Sequence, residues 1–378
     1  MDQQIRMGQL LKRLVFYLIA SRILLFIAAY FLAISSPTQK VLPFESIWDF
    51  VLTFGKRWDG NSYTFIADHW YVTEGPEKYF AVFPPLYPVL VRALSFSGIN
   101  SVLSGIILSN VFFILGMVVL YKLIALDYKP KIALLTVILI SIFPTSFFFS
   151  VAYPESLFVF LFAASLYLSR KKSYFLAGIT GGLATITRPF GILIFPALIL
   201  QMIKDRKFNI KNVLTLLMTF GLPVIYYLAI NYSLFGDTFA FAKLLNENWQ
   251  KSFAFPWEGI VASWKRGVFT HDPSNYKYLV GYGEAIASTA AWIFVLIGAK
   301  KWGLKSPYFI YLFLSTALFT STGFILSAPR YLLSIPPFFI LMASFLSRNK
   351  IVTAIWIITS VVLLFYIANE FAWGQWTF

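Results

Sequence analysis

Long apolar runs alternate along the sequence of 378 residues with short breaks of charged residues, proline and glycine. A helix needs about 20 mostly apolar residues to cross the hydrocarbon core of a bilayer. On this criterion the pattern predicts about eleven membrane-spanning helices, of which the fourth to sixth are short. The predicted spans are residues 14–34, 101–124, 132–150, 157–169, 174–187, 190–203, 212–231, 284–299, 307–324, 331–347 and 351–369.

Two connections are much longer than the rest, residues 35–100 and 232–283. Both interleave Trp, Tyr and Phe with single charges, a content that suits short helices lying at the membrane interface. Long connections of this kind are usually folded and functional. We therefore expect one domain over residues 1–378, an all-α polytopic membrane protein whose long loops are the first and the fourth on the outer side.

The composition excludes soluble proteins, because 59% of the residues are hydrophobic and only 12% are charged. A soluble globular protein carries roughly 25% charged residues. Cysteine is absent and there are two histidines, so the sequence predicts no cofactor built on thiolate or histidine-rich metal ligation. A single divalent cation held by a carboxylate stays open.

The net charge of +15 is explained by membrane topology rather than by a nucleic-acid partner. With the N-terminus in the cytoplasm, every connection assigned to that side is basic, as the positive-inside rule requires. The same charges favour contact with anionic membrane lipids. The basic residues on that side are Arg6, Lys12, Arg13, Lys122, Lys129, Lys131, Arg170, Lys171, Lys172, Lys204, Arg206, Lys207, Lys211, Lys300, Lys301, Lys305, Arg348 and Lys350.

The first outer loop carries a candidate catalytic carboxylate, Asp59, directly after Arg57 and Trp58 and shortly before Tyr63. A carboxylate at the interface, partly desolvated by aromatic rings, can accept a proton from a hydroxyl. The competing interpretation makes Asp59 the cap of an interfacial helix and Trp58 a residue of the aromatic belt.

Three further residues are candidates for substrate binding. Glu155 lies between the third and fourth spans with apolar residues around it, where acids are costly and often functional. A first-turn carboxylate facing the helix dipole explains it equally well. Asp68 and His69 follow in the first loop, although such a pair is more often a solvated surface feature.

Two arginines, Arg188 and Arg330, each lie beside a proline at the predicted outer end of a span, and Tyr331 follows the second. Such guanidinium groups either reach lipid phosphate or hold the phosphate of a substrate with paired N–H donors. Because both arginines fall on the same predicted side as Asp59, we interpret them as one phosphate site. Arg22, inside the first span, requires a buried partner or a lipid headgroup.

Nucleotide-binding motifs are absent, and the predicted cytoplasmic connections are too short for a nucleotide domain. A substrate must then come from the lipid phase or the outer side. An activated donor available there without nucleotide is a sugar linked through phosphate to a polyprenyl lipid.

Several short blocks, in their order along the chain, resemble the PIG-V-like mannosyltransferases, the GPI mannosyltransferase 2 family with prokaryotic relatives. The resemblance implies a GT-C fold and inverting, metal-independent transfer of mannose from dolichyl- or polyprenyl-phosphate mannose to a glycolipid or glycan acceptor on the extracytoplasmic face. It places the first-loop aspartate of the family at Asp59. The blocks are Trp58-Asp59, Phe83-Pro84-Pro85-Leu86-Tyr87-Pro88, Tyr153-Pro154-Glu155-Ser156-Leu157, Thr187-Arg188-Pro189-Phe190-Gly191 and Pro329-Arg330-Tyr331.

Two other classes stay open. A transporter or flippase of a lipid-linked or anionic solute would use the same arginines and need no base, but it tends to show inverted repeats. No such repeat is evident here, and both long loops fall on one side. A non-catalytic assembly subunit is the third alternative.

Overall fold

The computed structural model describes residues 2–35, 44–271 and 276–378, and this part of the chain is nearly all helical. The predicted all-α fold class is confirmed. An isolated antiparallel bridge joins Phe253 to Thr322. The α-helices are α1 (Asp2–Ser35), α2 (Ile47–Gly55), α3 (Asp59–His69), α4 (Leu86–Ser95), α5 (Ser101–Ile124), α6 (Pro130–Ser141), α7 (Glu155–Arg170), α8 (Tyr174–Thr185), α9 (Ile194–Lys204), α10 (Ile210–Phe235), α11 (Ala240–Trp249), α12 (Pro256–Phe269), α13 (Glu284–Trp302), α14 (Pro307–Thr320), α15 (Ala328–Leu332), α16 (Pro336–Leu346) and α17 (Lys350–Ala372).

Each predicted span overlaps at least one of these helices, but several helices are shorter than the apolar runs. In the described residues, five helices are long and apolar enough to cross a membrane: Gly8–Ser35, Ser101–Ile124, Ile210–Phe235, Lys277–Trp302 and Lys350–Ala372. Two of the shorter ones are interrupted at prolines. The run predicted over 132–150 ends as α6 before Pro144, and the run over 331–347 is divided into α15 and α16 at Pro336.

The two long loops are helical, as expected. The first holds α2, α3 and α4, and the second holds α11 and α12, while residues 36–43 and 272–275 lie outside the described part. The loops also pack against each other, because Leu244 of α11 joins Ile66, Tyr71 and Ala81 in a small apolar cluster. The Tyr227 hydroxyl of α10 donates to the Ala81 carbonyl at 2.9 Å. The two loops therefore form one layer at one end of the bundle.

Small residues let the helices of the bundle approach closely. Gly178, Gly181 and Gly182 on α8 face Phe220 and its neighbours on α10, where an added Cβ would meet the partner helix. Such positions allow the backbone-to-backbone packing typical of membrane helices. Asparagine side chains close the first turns of α5, α10 and α17 by accepting backbone N–H groups.

Arg22 finds its buried partners inside the protein. Its Nη2 donates to the Ser141 carbonyl at 2.6 Å and its Nη1 to the Ser146 carbonyl at 3.1 Å. The guanidinium also lies 4.5 Å from the ring centre of Phe113. The Ser141 carbonyl lies at the end of α6, where the helix supplies no further N–H donor. Arg22 of α1 donates to it instead.

Candidate active site

A cavity of about 650 Å³ lies where α8, α14 and α17 end and where α3 begins. Its wall combines the first loop, the turn after α8, the second loop, the segment before α15 and the residues after α17. The structure thus brings together residues from the whole length of the chain. Six of the predicted site residues line this cavity, namely Trp58, Asp59, Tyr63, Arg188, Arg330 and Tyr331.

A continuous ion-pair network links four of the charged groups. Asp59 Oδ2 accepts a hydrogen bond from Arg330 Nη1 at 2.6 Å. Arg330 Nε donates at 2.6 Å to Glu155 Oε1, and Arg188 Nη1 donates to the same oxygen. Two carboxylates and two guanidinium groups therefore balance each other in charge, with Glu155 shared between the arginines.

Burial increases along this network. The Asp59 side chain is 29% exposed, both arginine side chains are under a tenth exposed, and Glu155 is fully buried. The Arg330 guanidinium also lies 4.6 Å from the ring centre of Tyr153. Buried charges require such partners. Glu155 is at the same time the first residue of α7, as the first-turn interpretation has it, while its part in substrate binding stays a prediction.

The local backbone around Asp59 is fixed by close contacts. Trp58, the residue before α3, has φ +52, a left-handed conformation unusual for a side chain of this size. A Cβ on Gly60 would lie 2.8 Å from the Gly55 carbonyl oxygen, so only glycine fits there. The Tyr153 hydroxyl donates to the Arg57 carbonyl at 2.8 Å. These contacts set where the Asp59 carboxylate enters the cavity.

Arg188 is positioned by the turn that follows α8. Its backbone is extended at φ −150, and Pro189 then begins a 3-10 turn that runs to Leu193. Gly191 of this turn packs directly on the backbone of Thr185, leaving no room for a Cβ. The Leu86 N–H donates to the Ile186 carbonyl at 3.0 Å, which joins residues 83–88 of the first loop to this turn.

Arg330 is held by the short helix α15, whose start is secured by Glu284. The two oxygens of Glu284 accept the Ser327 and Ala328 N–H groups, each at 2.6 Å. The Thr145 hydroxyl donates to the Pro329 carbonyl at 3.0 Å. Glu284 is fully buried and its role was not predicted from the sequence, where it reads only as an acid at the start of a span.

Four predicted residues lie outside the cavity lining: Glu155, buried behind the arginines, and Asp68, His69 and Arg57. Asp68 accepts a hydrogen bond from the Ser101 hydroxyl at 2.8 Å, and His69 stacks on Phe65 with ring centres 4.6 Å apart. Both are exposed, as the solvated-surface interpretation has it. Arg57 donates to the Ala372 carbonyl at 2.9 Å and so ties the first loop to the end of α17.

Two parts of the wall were missed by sequence reasoning. Lys251, between α11 and α12, lines the cavity and donates from Nζ to the Phe324 carbonyl at 3.0 Å. Trp376, Thr377 and Phe378 line it as well. No motif marks these positions; the aromatic content of the second loop was the one available indication. The Trp58 indole donates to the Gln375 carbonyl at 3.1 Å.

Burial shifts the pKa of two groups in the two long loops. Burial, together with the carboxylates of Glu155 and Asp59, raises the pKa of Tyr63 well above its ordinary value, so its phenol is protonated at neutral pH. Burial lowers the pKa of Lys251 to about 8. In the described part of the chain, no three His, Cys, Asp or Glu side chains cluster as they would around a metal ion.

The structural match identifies the fold class of the protein. The chain resembles the crystal structure of ArnT from Cupriavidus metallidurans bound to undecaprenyl phosphate, with a TM-score of 0.50 and 14% identity. The match covers 79% of this chain and 58% of ArnT. The protein is thus an all-helical integral membrane protein with the GT-C-type fold.

The family follows from the sequence match. The family described as Mannosyltransferase (PIG-V) matches residues 5–253, and the chain belongs to this family. It is also 32% identical over 164 residues to the GPI mannosyltransferase pigv-1 of Caenorhabditis elegans, covering 37% of this chain. The chain spans 24% of that relative's length. The predicted resemblance is confirmed.

Proposed function

We propose that the protein is an inverting glycosyltransferase that moves a mannosyl or related hexosyl group from a polyprenyl-phosphate sugar to a lipid-linked or glycan acceptor. The observation that carries the proposal is the network in which Asp59, on a cavity wall, is paired through Arg330 to the buried Glu155. Family membership supports the transfer of a sugar, and the undecaprenyl phosphate of ArnT supports a polyprenyl carrier.

The chemistry assigns Asp59 as the general base. The acceptor hydroxyl attacks the anomeric carbon from the face opposite the phosphate, and its proton passes to the Asp59 carboxylate. The bond between the anomeric carbon and the phosphate oxygen breaks, and the electron pair stays on that oxygen. Arg330 occupies Oδ2 of Asp59, which leaves Oδ1 for the acceptor.

The arginines serve the donor phosphate. A guanidinium has five N–H groups, and the ion pairs of the network use Nη1 of Arg188 and Nε and Nη1 of Arg330. The remaining groups can bind phosphate oxygens. The leaving group is a phosphate monoester, which requires charge stabilisation more than protonation. Glu155 orients both arginines, and the protonated Tyr63 donates to a sugar hydroxyl.

The active site belongs on the extracytoplasmic side in this proposal. The basic connections 170–172, 300–305 and 348–350 precede α8, α14 and α17, whose other ends border the cavity. By the positive-inside rule this arrangement supports a cytoplasmic position for these connections. The donor's lipid tail lies in the bilayer between helices, and the aromatic side chains of the two long loops form the surface on which the sugar stacks.

A transfer assay tests the proposal. Purified protein in detergent is given radiolabelled polyprenyl-phosphate mannose and a membrane glycolipid extract, and products are separated by chromatography. We expect a new labelled glycoside, formed equally well in EDTA because cationic side chains meet the leaving phosphate. Reconstituted protein that moves the labelled lipid or an anionic solute across the bilayer, with no glycoside formed, would instead identify the transporter alternative.

A further inference from the structure

The charges around the cavity leave one cation in excess. Asp59 and Glu155 are matched by Arg188 and Arg330 within the ion-pair network. Among the residues that line the cavity, Lys251 is the remaining charged side chain. A phosphodiester donor brings one negative charge, and the phosphate monoester that leaves carries about 1.5 to 2 at pH 7. The site therefore requires a positive charge beyond the balanced network.

Lys251 has hydrogen-bonding capacity to spare. An ammonium group has three donors, and one is used by the Phe324 carbonyl. The main chain fixes Lys251 in place, since the Phe253–Thr322 bridge and the Ala254 N–H to Ser321 carbonyl contact follow it directly. The lysine thus lies where the second loop meets the segment before α15.

Hydroxyl groups surround the same part of the cavity. Ser252, Ser321 and Ser327 line it together with Lys251. Hydroxyls next to an ammonium group are a donor set that suits phosphate oxygens.

We propose that Lys251, with Ser252, Ser321 and Ser327, forms the subsite that receives the polyprenyl-linked phosphate as it leaves the sugar. The inference rests on the proposed function. As the bond from the anomeric carbon to oxygen breaks, the electron pair remains on the phosphate and its charge grows from one towards two. Lys251 meets that added charge, while the acceptor proton goes to Asp59.

Neighbouring charges keep Lys251 responsive to pH. Burial is the main cause of its pKa near 8; Arg266 lowers it further, and Glu284 raises it. A bound phosphate dianion favours the protonated lysine. Affinity for the monophosphate is therefore expected to fall as the pH rises above about 8, where free Lys251 becomes neutral.

Binding measurements on the full chain in detergent test the subsite. The probes are a short-chain polyprenyl monophosphate, the same lipid as phosphate-mannose, and inorganic phosphate. We expect Lys251→Met to weaken binding of the monophosphate at least tenfold and binding of the phosphate-mannose less. Lys251→Arg is expected to retain most of the affinity for the monophosphate. Lys243→Met is the matched control, because Lys243 is exposed on α11 and pairs with Asp237.

Several outcomes would overturn the inference. They are an equal loss of affinity for both lipids in Lys251→Met, no loss of affinity for either lipid, or inorganic phosphate that binds as tightly as the lipid monophosphate. The pH series on the unaltered protein requires no variant, and a flat monophosphate affinity between pH 6 and 10 would also contradict it. Lysine-dependent binding without any glycoside formed would end the proposed function and leave the phosphate subsite standing.

Discussion

Asp59 and Arg330 are 271 residues apart in the chain, yet Asp59 Oδ2 and Arg330 Nη1 lie 2.6 Å from each other. The pair joins the first loop to the short helix α15, and the buried Glu155 lies behind it. The proposed base and the proposed phosphate-binding group are thus parts of one electrostatic unit. Changes to one member are expected to alter the others.

Asp59→Asn is expected to lower the rate of transfer by about 10²- to 10⁴-fold, the usual contribution of a positioned general base. Asparagine keeps the shape and can still accept from Arg330, so the thermal midpoint and donor binding should be nearly unchanged. The rate is measured with labelled donor. Asp68→Asn, in the same helix but outside the cavity, is the control. Near-normal turnover in Asp59→Asn would remove Asp59 from the base role.

Glu155→Gln is expected to destabilise the folded protein by about 3–5 kcal/mol. The change removes the charge of Glu155 and leaves Asp59 as the single carboxylate of the network for the two buried guanidinium groups. The midpoint of thermal unfolding in detergent measures this effect. Asp237→Asn, which breaks an exposed ion pair with Lys243, should leave the midpoint almost unchanged. Equal midpoints for the two variants would show that the network contributes little to stability.

Arg22→Met is expected to lower stability because it removes the guanidinium donors to the Ser141 and Ser146 carbonyls in the core, of which Ser141 keeps the Ser146 hydroxyl as a donor. Each unsatisfied buried group costs about 1–3 kcal/mol. Thermal unfolding again provides the measurement, and Arg13→Met, at an exposed position of α1, is the control. A midpoint for Arg22→Met that matches the control would mean that water or lipid replaces the guanidinium.

Gly191→Ala is expected to displace the turn that carries Arg188, since the added methyl group would meet the Thr185 backbone. Both transfer and stability should fall. Gly221→Ala in α10 is the matched substitution, because a Cβ there meets nothing within 4 Å. In a helix interior that change is expected to be neutral or stabilising, by up to about 1 kcal/mol. Equal effects at the two glycines would contradict the close packing around Arg188.

The sequence predicts the helical fold well, because span length and apolar composition are local properties. The second predicted span coincides with α5, Ser101–Ile124. The errors lie where prolines interrupt an apolar run, as in α6 and in α15 and α16. Hydropathy averages over such breaks, whereas the backbone cannot continue a regular helix through them.

The candidate site is predictable only in part. Asp59, Arg188 and Arg330 stand out because each is a charge in an apolar or aromatic setting beside a helix end. Lys251 and Glu284 do not, since their importance depends on the segments 321–328 that fold back against them. Single-sequence patterns carry no information about which distant segments meet. For the same reason the sequence predicts that Arg22 needs a partner but does not identify the Ser141 and Ser146 carbonyls.

The sharing of Glu155 between two arginines has a consequence for biogenesis. Arg188 follows Glu155 by 33 residues and Arg330 by 175, so the second counter-ion of this acid is made long after the first. A buried carboxylate with an incomplete set of partners is costly relative to the full network. A chain that ends before Arg330 therefore holds Glu155 with Arg188 alone, and the complete network can form only after α15 has been made.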